Sequence, residues 1–406
     1  MWNRTFTYIR QFDRNLWILS LGWFVSALGF AASIPFVAIY FHAEFDMSVT
    51  EIGLFFGVLA VVRSVFQAVG GEVSDRMERR WLLISSQFFR AGAFLFLAAA
   101  IRGEWGFWWI AACLAVNSIF GAVFQPVANA VVSDILPKGK RLDGYAVTRS
   151  AGNLGWAAGP AIGGFLATTS YALLFTISSA ITMISGLIFL LFLKVRQFEL
   201  QTDRFRLSDI VAIKSDPYLA WHSVLVFLLY LVVAQLIAPF SIYTVEMVGI
   251  SKSQLGYLYT LNGLLVVFFQ IPITRLLSKF SLTSQLSWGA FFYVIGYGMV
   301  GMLIGFEYFV LAITVVTIGE MFMSPPTLTL TSRLAPPRRM GRYMGVIGFV
   351  MASGWSFGPL YGGFILDHLG GNHAVAWLVI SSLAVFSGVG YLIFARKLPS
   401  EFNARQ

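Results

Sequence analysis

Long apolar runs separated by short polar breaks recur from one end of this chain to the other, and they limit its fold more than any other feature. About 20 apolar residues in α-helical form cross a hydrocarbon core roughly 30 Å thick. Twelve such segments are present: 16 to 41, 51 to 71, 81 to 101, 107 to 133, 142 to 168 and 170 to 193, then 217 to 246, 252 to 277, 283 to 304, 308 to 334, 341 to 366 and 373 to 395. Inside lipid only helices and closed barrels satisfy every backbone polar group, and the alternating strands of a barrel are absent. Hydrophobic residues at 58%, charged residues at 12% and a mean hydropathy of +0.76 agree with an all-α membrane protein. The first run is too long for a cleavable signal and lacks a small-residue cleavage site, so it is expected to remain as an anchor.

The net charge of +9 would suit a nucleic-acid binder, but the placement of the basic residues argues otherwise. Of the 28 Lys and Arg, 23 fall at the termini, in the even-numbered loops or in the central linker. Only Arg102 and Lys252 fall on the opposite side, and Arg63, Arg90 and Arg149 lie within helices. Such a bias puts basic loops inside, so both termini are expected in the cytoplasm of a cell (inner or plasma) membrane, with no nucleic-acid partner. The single cysteine, Cys113, excludes an intrachain disulfide, and His42, His222, His368 and His373 are too scattered for a metal site. There is no GxxxxGK[ST] loop to cradle ATP, so any uphill transport would have to use an ion gradient or an absent partner, and no cofactor is expected.

The chain repeats itself. Gly53, Phe66 and Gln67 recur as Gly256, Phe269 and Gln270 at an offset of 203, and Pro35-Phe36 recurs as Pro239-Phe240 at 204. Gly155-Trp156, Gly159-Pro160 and Gly163-Gly164-Phe165 recur as Gly354-Trp355, Gly358-Pro359 and Gly362-Gly363-Phe364 at 199. Helix n therefore corresponds to helix n+6, and six helices bring each repeat back to the same side, giving parallel repeats about an axis along the membrane normal. The expected domains are 1-193 and 217-406, two six-helix bundles related by a pseudo-twofold axis, joined by a charged cytoplasmic linker at 194-216.

Two motifs stand out. The loop after helix 2 reads Gly71-Glu72-Val73-Ser74-Asp75-Arg76-Met77-Glu78-Arg79-Arg80, and helix 5 carries Gly152, Gly155, Gly159, Pro160, Gly163 and Gly164. The first resembles the GxLaDRxGRR signature of the major facilitator superfamily, with Val73 for the usual Leu and Glu78 for the second Gly. The second is similar to the GxxxGPxxGG motif of its twelve-helix drug:proton antiporters. The resemblance covers the whole chain and implies transport by rocking of two bundles, with no enzymatic activity. It also implies a cytoplasmic charge latch in which Asp75 faces the start of helix 11 and Arg76 or Arg79 pairs with Asp134, alongside Gly71 and Arg80. A hinge at Gly155, Gly159, Pro160, Gly163 and Gly164 is implied too, packed against a helix of the other half such as helix 8. Arg149, near the cytoplasmic end of helix 5, reads as structural support. A third signature, an arginine followed by x-x-Gln-Gly in helix 4, is not met, since Asn117 and Gly121 occupy the matching places.

Helices 1, 4, 7 and 10 line the cavity in that superfamily, which points to Asn117, Phe120, Phe124, Gln125, Gln235, Tyr243, Glu320 and Met323, with Asn262 from helix 8. Glu320 is the one carboxylate deep within an apolar segment, and a charge there is costly enough to be a default functional candidate. A carboxyl that is neutral when shielded and ionised when hydrated can exchange a proton for a cationic group, whereas a permanent ion pair would only brace the bundle. Arg63, about twelve residues into helix 2, could bind substrate, pair with Glu320 or hold helix 11. The leading expectation is proton-coupled export of amphipathic or cationic small molecules, driven by the proton gradient. A carrier of organic anions or sugars is the alternative, for which the embedded arginines argue. The expected partners are a small-molecule substrate, protons and membrane lipid, and the unit is expected to work as a monomer.

Overall fold

The structure, a computed structural model, describes residues 13–137, 140–195, 216–336, 339–369 and 371–403. The expected linker lies almost wholly outside the described residues, at 196–215. Six long helices precede it: α1 (Arg14–Phe45), α2 (Val49–Arg76), α3 (Arg79–Arg102), α4 (Phe107–Ile135), α5 (Arg141–Thr169) and α6 (Tyr171–Phe192). Six follow: α7 (Pro217–Val233), α8 (Lys252–Leu277), α9 (Leu282–Met302), α10 (Phe306–Leu334), α11 (Met340–Leu369) and α12 (His373–Lys397). Among the described residues nine helices are long and apolar enough to cross a membrane. The other three, α5, α9 and α11, are diluted by glycine and polar side chains.

Helix 7 departs from the unbroken run expected over 217 to 246. After Val233 the chain passes through a 3-10 turn at Ala234–Leu236, one α turn at Pro239–Ile242 and a π turn at Tyr243–Met247. Pro239 has no N–H to give back to the preceding turn. Gln235 is buried, and its amide donates to Leu231 O at 2.6 Å and across to Gly358 O of α11 at 2.8 Å. The side chain thus takes up carbonyls that a regular helix would have paired along its own axis.

Contacts group the chain into two units. Unit 1 comprises Met1–Tyr40, Leu59–Gln201 and Ser251–Gly263; unit 2 comprises Phe41–Val58, Thr202–Ile250 and Leu264–Gln406. Each unit therefore takes one segment from the other sequence half, 251–263 from the start of α8 and 41–58 from the start of α2. Within unit 1, α3 lies along α4 and α6; within unit 2, α9 lies along α10 and α12. The internal repeat is thus visible as the same packing six helices apart.

Glycine sets the closest approaches. In unit 1 a Cβ on Gly159 would stand 2.8 Å from Leu28 O, Ala31 Cβ and Ala32 N, so this stripe of α5 rests on the backbone of α1. In unit 2 the copy in α11 rests on α7, where a Cβ on Gly358 would stand 2.8 Å from Leu231 O. The opposite edge of each stripe meets the exchanged segment: Gly164 approaches Lys252 O and Gly256 of α8, and Gly363 approaches Val49 O and Thr50 N of α2. The expected contact of helix 5 with helix 8 is therefore made by Gly164, by the carbonyl of Pro160 against Gly256 and by Ala157 against Gly263, while Gly155, Gly159 and Gly163 pack on α1. Without a hydrophobic drive between helices in lipid, such backbone proximity is what holds them together.

A branched side chain in this contact must push two backbones apart, at a cost of about 1–3 kcal/mol. Gly159→Val is therefore expected to lower the Tm of the purified chain by several degrees. Gly92→Val serves as the control, because a Cβ at Gly92 of α3 meets nothing within 4 Å. Equal Tm for the two variants would contradict the packing described.

Candidate functional site

Unit 1 receives Arg63, Asn117, Phe120, Phe124, Gln125 and Asn262 of the sequence-predicted set, and unit 2 receives Gln235, Tyr243, Glu320 and Met323. In unit 1, Arg63 and Gln125 are exposed, Phe120 and Asn262 are half-buried, and Asn117 is buried. Phe120 stacks on Phe89 with ring centroids 4.5 Å apart. Phe124 turns into the core instead, edge-on to Trp23 at 5.4 Å and beside Phe189. Asn117 donates to the carbonyl of Arg90 at 3.4 Å. Arg90, buried at mid-helix, donates through Nη1 to Ser26 Oγ at 2.8 Å and Gln87 Oε1 at 3.4 Å, and its guanidinium lies 5.4 Å from the Phe30 ring centroid.

In unit 2, Glu320 lies half-buried in the middle of α10, its charge within electrostatic reach of the buried Tyr293 hydroxyl on α9. At the next residue, Gln270 of α8 donates to Met321 O at 3.2 Å. Met323 is buried against Gly289 of α9. Tyr243 is fully buried with its hydroxyl 3.0 Å from His373 Nδ1 and its ring among Phe309, Phe240 and Trp377. Gln235 is occupied with the α7 break. Phe124, Gln235, Tyr243 and Met323 therefore serve packing in this conformation, because helix number alone does not say which face a residue occupies.

At the helix ends, Arg79 forms an ion pair with Asp134, joining α3 to α4, and Arg80 donates to Leu190 O of α6 at 2.8 Å. Of the two arginines offered for Asp134 by the sequence, Arg79 makes the pair, and the side chain of Arg76 lies outside the described residues. The side chains of Gly71, Asp75 and Arg76 lie outside the described residues, and Arg149 is exposed. In unit 2, Asp367 of α11 accepts from Val49 N at 3.1 Å, Thr50 N at 2.7 Å and the Thr50 hydroxyl. A carboxylate on the first N–H groups of a helix answers both its unpaired donors and its dipole. Ser48 and Glu51 add a reciprocal capping box, Ser48 N to Glu51 Oε2 at 2.8 Å and Glu51 N to Ser48 Oγ at 3.2 Å. Ser251 and Gln254 repeat that box at α8 in unit 1, where Lys252 Nζ sits 4.3 Å from the Tyr171 ring centroid. The capping boxes are legible as Ser-x-x-Glu and Ser-x-x-Gln; Asp367, Ser26, Gln87 and Tyr293 carried no sequence signal, since each works through a distant helix.

A sequence profile of the Major Facilitator Superfamily matches residues 19–359 and 225–405. The chain belongs to the major facilitator superfamily. Among relatives of this superfamily member, the MFS-type transporter YttB of Bacillus subtilis (strain 168) is 26% identical, covering 95% of this chain and 96% of its own. The multidrug resistance protein MdtH of Aeromonas hydrophila is 23% identical over 91% of this chain and 92% of its own. Of solved structures, a bacterial homologue of the human lysosomal transporter Spinster, inward-facing and unoccupied, superposes with a TM-score of 0.77 at 13% identity over 95% of this chain and 97% of that one. A POT family transporter in complex with 5-aminolevulinic acid gives 0.76 at 14%, over 95% and 96%. The chain is thus a multi-pass membrane transporter of small molecules, not an enzyme.

The Asp367 cap is directly testable. Loss of an N-cap acceptor costs about 1 kcal/mol, roughly fivefold in a local opening equilibrium. In Asp367→Ala, amide hydrogen exchange at the start of α2 should accelerate about that much, while the start of α8 stays unchanged. Unaltered exchange at Val49 and Thr50 would show that the carboxylate does not hold α2.

Proposed function

We propose that this transporter is a proton-coupled exporter of amphipathic small molecules, cations among them, working as a monomer by alternating access in the cell membrane with both termini cytoplasmic. The observation that carries this reading is Glu320. Of 19 acidic residues it is the one placed deep within an apolar helix, half-buried in unit 2 and close to the Tyr293 phenol. A carboxyl so placed exchanges a proton for a cation as its surroundings alternate between wet and dry, and its two occupants compete for the same oxygen atoms. Relatives named multidrug resistance proteins, at 21 to 24% identity, support the substrate class. The basic excess in the loops expected to be cytoplasmic supports the orientation.

The reading is tested in proteoliposomes with an acidic interior and ethidium outside. The wild-type chain should accumulate dye as protons leave. Glu320→Gln should lose gradient-driven accumulation while still equilibrating dye without a gradient. Undiminished uphill movement in that variant would remove Glu320 from the coupling step and overturn the reading.

A further inference from the structure

The helices of unit 1 carry two arginines far from any helix end, Arg63 in α2 and Arg90 in α3, and every acid of the unit's own sequence lies in a loop or near a helix terminus. Among the described residues neither arginine has an ion pair; the pair within this unit is Arg79 with Asp134. The Arg63 charge is felt at the Arg90 guanidinium, and the two like charges repel, so an anion between them would relieve that repulsion.

Around Arg90 the polar groups are mostly donors. Ser26 Oγ donates to Gln87 Oε1 at 2.9 Å, and the same oxygen receives Arg90 Nη1. That leaves Arg90 Nε and Gln87 Nε2 buried with no acceptor. Arg90 is 4% exposed and Gln87 0%. A buried donor without a partner costs about 1–3 kcal/mol, and a buried charge without a counter-charge costs more. The orphan Nε faces Gly121 of α4: a Cβ there would lie in van der Waals contact, 3.5 Å from Nε and 3.7 Å from Cζ, so with glycine no side chain of that residue covers this side of the guanidinium. Aromatic surface adjoins it, since Phe30 lies under the guanidinium and meets Trp156 edge-on at 5.8 Å, and Trp156 is partly exposed.

We propose that Arg90 and Gln87, with Gly121 as the opening and Arg63 as a second positive charge, form a subsite in unit 1 for the oxyanion of an amphipathic carboxylate or sulfonate. The oxyanion accepts from Arg90 Nε and Gln87 Nε2, and its apolar body lies along Phe30 and Trp156. A lipid headgroup does not fit this place. Arg90 is about twelve residues, roughly 18 Å, from either end of α3, which is near the middle of a core about 30 Å thick. The subsite adds acidic amphiphiles to the substrate class of the exporter proposed above.

The test is binding to the full chain in nanodiscs, in a buffer free of other oxyanions and without a proton gradient. The probes are 2-naphthalenesulfonate and its neutral analogue methyl 2-naphthyl sulfone. The sulfonate should raise the Tm of the wild type by several degrees, whereas the sulfone should not. Its affinity should fall at least about tenfold in Arg90→Gln and in Gly121→Val, the second leaving the guanidinium in place, and should fall by a smaller factor in Arg63→Gln. Because this binding is read without a proton gradient, whereas coupling is read by gradient-driven dye accumulation, failure of coupling and failure of this subsite give separate results. Equal shifts from sulfonate and sulfone would overturn the proposal, as would undiminished sulfonate affinity in Gly121→Val. If Arg90→Gln does not fold, the Gly121 variant and the neutral probe decide alone.

Discussion

An ionised side chain in the hydrocarbon layer has to be matched by an opposite charge, by donors and acceptors, or by water, and the cost of leaving it unmatched is several kcal/mol. That constraint organises this transporter. Its charged residues crowd the helix ends, where Arg79 meets Asp134 and Asp367 meets the first amides of α2. The exceptions at depth are Arg63, Arg90 and Glu320, and the proposed coupling and binding roles rest on them. Arg90 is held by Ser26, Gln87 and the Phe30 ring, enough to fix its position but not to use all its donors.

The helical frame around these charges is held by backbone contact. The stripe in α5 on α1 and its copy in α11 on α7 let main chains touch, and the far edge of each stripe receives the start of α8 or α2. Because those segments are grouped with the opposite sequence half, the unit boundaries cut through α2 and α8. The start of α2 is tied to α11 by a carboxylate cap, while the start of α8 packs closely on α5, where the Ser253 hydroxyl also reaches Gly164 O at 3.5 Å. The two repeats thus share a geometry but not its chemistry, and α2 is the segment whose hold depends on a titratable group.

Much of this was readable from residue order alone. Helix number and the n to n+6 repeat follow from length, hydropathy and glycine spacing, which are local properties. The Arg79 pairing was one of two offered, and it depends on the approach of α3 to α4, which residue order does not give. The break in α7 was not readable, because it needs Gln235 to find Gly358 more than a hundred residues away. Which face of its helix each of Phe124, Tyr243 and Met323 occupies was not readable for a related reason: an evenly apolar helix carries no stripe to show which face is inward, and all three are buried here. Glu320 was evident at once, since the cost of burying charge needs no partner to be recognised.

At the centre of the account is one carboxyl that holds either a proton or a cationic substrate. The most direct measurement is proton release when tetraphenylphosphonium binds to the purified chain in weakly buffered solution near neutral pH. The account predicts about one proton released per cation bound in the wild type and none in Glu320→Gln. Equal release from both proteins would contradict it.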